Sequence, residues 1–154
     1  GIGALSPQGE ADDRQYLAQT LQGLKERGEE GLLDRSWLSV HNYTGPRDLS
    51  DPDGFLRFRQ YDAIVRSELG RSLPMVGCEG GTQVGPGVDE QKQASMMLSA
   101  WDYMQTQAEP YMFAYTYWII ANEAGGGRDQ AFNQHALFGQ DGPNALAQAL
   151  IDKA

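Results

Sequence analysis

The chain has 154 residues, 40% of them hydrophobic, enough for one domain with its own core. Its 12 Lys and Arg stand against 21 Asp and Glu, and this net charge of -9, with no basic cluster, sets the chain against a nucleic-acid partner. No apolar run approaches the ~18 residues that cross a bilayer, so no membrane partner is expected, and a single cysteine, Cys78, excludes an internal disulfide framework and cannot by itself build a zinc site.

Four segments share one order of parts: an apolar stretch, a polar or glycine-rich turn, then a helical pattern, which is the signature of βα units. The first strand is expected near residues 2 to 5, in GIGALS. The acids of PQGEADD then suit a helix start, Tyr16, Leu17, Thr20, Leu21 and Leu24 share a helical face, and the glycines of ERGEEG end it. A second strand, near 36 to 42, is β-rich through Trp37, Leu38 and Val40, and the turn-rich TGPRDLSDPDG breaks it. Phe55, Phe58, Tyr61, Val65 and Leu69 trace the next helix, interrupted only by Asp62, with Gly70 placed to cap it.

The third strand, near 73 to 78 in LPMVGC, leads through the glycine loop EGGTQVGPG to a helix from about Asp89 to Gln107, with Ala94, Met97, Leu98, Trp101 and Met104 inward. The fourth, near 112 to 119 in YMFAYTYWII, is apolar nearly throughout, as a strand buried on both faces would be. A long loop then reaches a last helix built on Ala145, Leu146, Ala149 and Leu150. The expected fold class is α/β: parallel βα units in right-handed succession, with helices on one side of the sheet.

In parallel α/β architectures chemistry gathers at the C-terminal ends of strands, where the loops converge. Polar residues at those ends are therefore the candidates: His41, Asn42 and Tyr43 after the second strand, Glu79 after the third, and Trp118, Asn122 and Glu123 after the fourth. Period two puts His41 and Tyr43 on one side and Asn42 on the other. Both readings stay open for the pair, as satisfied core residues or as groups facing a crevice. For Glu79, a helix cap is in doubt because the next helix starts about ten residues on, and Gly80 and Gly81 remove bulk where a ligand would approach. Trp118 suits either core packing or stacking on a sugar ring. Cys78 is expected to pack as a small hydrophobe.

SVHNYTG, LPMVGCEGG and FAYTYWIIANE, in this order and spacing, resemble strands six, seven and eight of the retaining glycoside hydrolases of the cellulase-like clan, which are (β/α)8 barrels of the TIM type. The resemblance covers most of the chain and implies that residues 1 to 154 form a single partial domain, the C-terminal half of such a barrel, strands five to eight. It implies that Glu79 is the catalytic nucleophile, that Tyr43 orients it, that His41 contacts substrate or a carboxylate, and that Trp118 forms a sugar-stacking floor. Asn122 and Glu123 are expected to touch substrate. The acid/base glutamate of the clan follows an Asn at the end of strand four, which would lie upstream of Gly1, and Cys78 stands where many members carry Thr.

The function so implied is the nucleophile-bearing half of an enzyme acting on a β-linked poly- or oligosaccharide, with no cofactor and no metal. Its partners would be the carbohydrate and either the N-terminal half of the same barrel or a second copy joined through exposed sheet edges. An extracellular location is compatible with the resemblance, although GIGALSPQGE lacks the pattern of a signal peptide. Two other readings stand beside it: a non-catalytic carbohydrate-binding module derived from such a barrel, and a small doubly wound domain of another function. The absence of GxGxxG or GxxxxGK[ST] after any strand speaks against nucleotides.

Overall fold

Asp12 and Asp89 begin two of the helices by accepting backbone N–H groups that no helical carbonyl can serve, and Gly70, at φ 68°, ends a third in the left-handed region. Between such stops lie α1 (Asp13–Glu26), α2 (Phe58–Leu69), α3 (Glu90–Thr106) and α4 (Ala145–Lys153). A computed structural model describes residues 1–7, 9–122, 130–139 and 141–153. Its main sheet contains β1 (Ile2–Leu5), β2 (Leu38–Tyr43), β3 (Met75–Gly81) and β4 (Met112–Tyr115), all parallel and in the order β1-β2-β3-β4. A short antiparallel pair, β5 (Phe138–Gly139) and β6 (Gly142–Pro143), precedes α4.

The protein is thus α/β, a four-stranded parallel sheet of βα units. A doubly wound sheet reverses its strand order at a switch point. Here the order never reverses, which removes the doubly wound reading. Along β2, Leu38, Val40 and Asn42 are buried while Ser39, His41 and Tyr43 are half-buried, so the sheet has one fully covered face and one open face. On the covered face Leu5, Leu38, Val40, Met75 and Met112 join side chains from all four helices, among them Leu17, Phe58, Met97 and Leu146, in one core.

The core is tied across its polar seam by Arg57, which donates to both carboxylate oxygens of Asp13 at 2.7 Å, to Tyr61 Oη at 3.2 Å and to Asp53 at 2.9 Å. The Tyr61 hydroxyl donates to Asp13 in turn. Burial works to raise the Asp13 pKa, but the Arg57 and Tyr61 hydrogen bonds outweigh it and hold the carboxyl below its ordinary value. Asp62, which interrupts the apolar stripe of α2, is buried and paired with Arg66 at 3.0 Å.

Several expectations need correction. On α3 the inward stripe is Gln93, Ala94, Met97, Ala100 and Tyr103, and Trp101 is 47% exposed. The physical reason is tertiary: Tyr103 meets the buried Phe55 ring edge-on at 5.3 Å, and small Ala100 lets the helix approach the sheet. Tyr16 likewise lies outward on α1. The fourth strand stops at Tyr115 and is not buried on both faces, since Phe113 is 68% exposed. Its pairing with β3 shifts between Met75 and Val76, passing over Phe113 on this edge strand.

Candidate functional site

Strict alternation would aim Glu79 the wrong way. Met75 and Gly77 of β3 are buried on the helix side, so a regular strand would turn Cys78 to the open face and Glu79 back toward the helices. The register prevents this. Val40 pairs with Gly77, but His41, the next residue of β2, pairs with Glu79. Cys78 is one extra residue, a β-bulge, and it shifts the parity of everything after it. Glu79 therefore lies beside His41 on the open face, at the C-terminal end of the strand.

There the Tyr43 hydroxyl donates to Glu79 Oε2 at 2.8 Å, and His41 Nδ1 lies 3.5 Å from the same oxygen. The Glu79 side chain is 36% exposed and that of His41 18%, so both reach solvent through the cleft. Burial, then the hydrogen bond and charge of Glu79, push the Tyr43 phenol well above its ordinary range, which keeps it a donor at neutral pH. Asn42 points the other way, its amide donating to the Phe55 carbonyl at 3.2 Å.

Trp118 closes one side of the cleft. Its ring packs edge-on to Phe132 at 4.8 Å and to His135 at 5.3 Å, and His135 meets Tyr43 at 6.4 Å. His135 is buried, and desolvation lowers its pKa, favouring the neutral imidazole. The cleft measures about 520 Å³, and Ser6, Arg47 and Gln83 line it together with His41, Tyr43, Glu79 and the aromatic wall. Such a cleft suits a polar ligand with one apolar face, since aromatic rings and a hydrogen-bonded carboxylate share its lining.

Four of the residues singled out in sequence, His41, Tyr43, Glu79 and Trp118, meet in this one cleft. Asn122 is not among its described lining residues; its amide donates to Asn133 Oδ1 at 2.7 Å. Glu123 lies outside the described residues. Packing across the sheet constrains both glycines after Glu79, and Gly81 also lines the cleft. A Cβ on Gly80 would stand 2.3 Å from Tyr115 Cε2, and one on Gly81, at φ 130°, would stand 2.6 Å from Tyr117 Cε2. The space belongs to two tyrosine rings of the neighbouring segment.

Sequence reasoning missed His135, Phe132 and Arg47. His135 is one of only two histidines in the chain, which is the signal that would have found it. Among the described residues no group of three or more His, Cys, Asp or Glu side chains is arranged to hold a metal ion.

Fold and cleft together define a singly wound parallel βα sheet with a hydrogen-bonded carboxylate at the C-terminal end of its third strand. No protein-family model matches the chain. No curated protein matches it. Among solved structures it is similar to a GH128 (subgroup II) endo-beta-1,3-glucanase from Sorangium cellulosum, with TM-score 0.49 and 18% sequence identity. That match covers 77% of this chain and 41% of the other.

Proposed function

We propose that this chain is the nucleophile-bearing half of a retaining glycoside hydrolase acting on a β-linked poly- or oligosaccharide. The observation that carries the reading is the Cys78 bulge, which brings the Glu79 carboxylate within 2.8 Å of the Tyr43 hydroxyl and 3.5 Å of His41, in a cleft also lined by Trp118, Phe132 and His135. A Glu79 oxygen attacks the anomeric carbon, the glycosidic oxygen leaves with a proton from a second carboxyl about 5 Å away, and water then cleaves the glycosyl ester. Tyr43 orients the nucleophile, His41 contacts substrate or a carboxylate, and Trp118 presents its face to the sugar. Asn122 and Glu123 are proposed to touch substrate.

In this reading β1 to β4 correspond to strands five to eight of a barrel. The unreversed strand order supports a barrel of βα units, because closing a barrel requires strands added in one direction with helices outside. The outer strands β1 and β4 each pair on one side only within the described sheet. Their open edges are completed by the N-terminal half of the same barrel or by a second copy of the chain. Those added strands supply the acid/base.

A second reading, a carbohydrate-binding module, has one observation in its favour: Glu79 is the sole carboxylate among the described lining residues. A fluorinated glycoside with a good leaving group separates the two, since departure of that group needs no proton donor. The expected result is a covalent glycosyl adduct mapped by mass spectrometry to Glu79 and absent from Glu79→Gln. Binding without any adduct, or an adduct on another carboxylate, would overturn the enzymatic reading.

A further inference from the structure

We infer that Thr116 is a positioning residue for Glu79, its hydroxyl clamping the bulge that turns the carboxylate into the cleft. A bulge leaves one residue outside the regular ladder, so its carbonyl is open to a partner other than the paired strand. Thr116 Oγ1 lies 2.7 Å from the Gly77 carbonyl oxygen and 2.6 Å from that of Cys78, and the Thr116 N–H donates to Gly77 at 2.8 Å. One residue of the neighbouring segment thus holds both peptide oxygens on the two sides of the parity change. Two residues later the Trp118 N–H donates to the Gly80 carbonyl at 3.0 Å, so the same segment that builds the aromatic wall also tracks β3 past the bulge.

The alternatives are discrete. With Cys78 absorbed into a regular ladder, Glu79 would turn to the helix side, where Phe55, Tyr115 and Met97 pack. Thr116 is also the one residue of YMFAYTYWII whose side chain is neither aliphatic, aromatic nor thioether. Thr116 follows the last residue of β4 at an exposed position, so its hydroxyl is singled out by its two short contacts to β3 and not by its polarity.

The functional meaning of the clamp rests on the reading of Glu79 as nucleophile, but its geometry is testable without it. In protein carrying ¹³C-labelled tyrosine, the Tyr43 Cζ resonance at neutral pH reports the hydroxyl's bond to Glu79, with Tyr43→Phe giving the assignment and Glu79→Ala, which has no side-chain acceptor, the reference. Thr116→Val is expected to move that resonance to the Glu79→Ala position, and Thr116→Ser to leave it at the wild-type one. Thr116→Ala serves as a second hydroxyl-free variant should the valine disturb folding. A wild-type resonance in either hydroxyl-free variant would overturn the inference. Labelling by the fluorinated glycoside should slow by about tenfold or more in Thr116→Val and recover in Thr116→Ser. Unchanged labelling on Glu79 in Thr116→Val refutes the clamp and leaves the nucleophile standing. Failure to label Glu79 in the wild-type protein refutes the nucleophile, and the Tyr43 resonance still decides the clamp.

Discussion

Gly80→Ala is expected to be among the most damaging single-methyl additions this protein can receive. The new Cβ would stand 2.3 Å from Cε2, 2.8 Å from Cζ and 2.9 Å from Oη of Tyr115, more than 1 Å inside ordinary contact for the first of these. The ring has no free path of retreat, because it meets Phe55 edge-on at 5.0 Å and its hydroxyl lies 4.0 Å from Met97 Sδ. Relief must come from the backbone of β3 or β4. Overpacking of this kind costs about 1–3 kcal/mol, and the depth of the overlap puts Gly80→Ala toward the upper end. With a urea slope of about 2 kcal/mol/M, a loss of about 2–3 kcal/mol lowers the unfolding midpoint by about 1–1.5 M. Equilibrium urea unfolding followed by far-UV circular dichroism measures it. Gly85→Ala is the control, since nothing lies within 4 Å of its Cβ. Equal midpoints for the two variants would refute the close packing of Tyr115 across β3.

Asp13→Ala should destabilise by about 3–5 kcal/mol, because it leaves the buried Arg57 guanidinium without its bidentate partner; thermal unfolding with an unchanged midpoint would contradict that. His135 is buried with a lowered pKa, so the unfolded chain binds its proton first as pH falls. Its contribution is present above the unfolded value of about 6.5 and is lost as pH falls through the lower folded value. Between about pH 8 and 5 the wild type should therefore lose more stability than His135→Phe, and parallel denaturation midpoints across that range would defeat the expectation. Trp118→Ala, made in a Glu79→Gln background, should weaken binding of β-linked oligosaccharides by about tenfold or more, read by titration calorimetry. Unchanged affinity would remove Trp118 from the sugar site.

The order of βα units and the identity of the polar residues at strand ends were legible in the sequence because both are local properties. Apolar runs bounded by glycines and acids mark the elements, and period two puts His41 and Tyr43 on one side wherever the strand lies. The helix caps at Asp12 and Gly70 belong to the same class, since a cap depends on a few neighbouring residues. The inward face of α3 was not legible. Apolar spacing admits both Ala100 and Trp101, which lie one residue and about 100° apart, and contact with Phe55 and the sheet decides between them.

The same limit applies to the cleft. In sequence, Glu79 is a carboxylate followed by two glycines, and simple alternation from the buried Met75 and Gly77 would have turned it toward the helices. Its direction depends on whether Cys78 is counted into the ladder, which is settled by pairing with Val40 and His41 on one side and by Thr116 on the other. Gly80 and Gly81 likewise owe their place to Tyr115 and Tyr117, more than 30 positions away in the chain. His135, more than 90 positions after Tyr43 in the chain, stands against Tyr43 and Trp118. The sequence by itself determined the order of the four βα units and which polar residues end the second and third strands, because those follow from neighbours along the chain. Only the tertiary structure decided which way Glu79 points and what stands around it, because a one-residue shift of register reverses a side chain and only the adjacent strands fix that register.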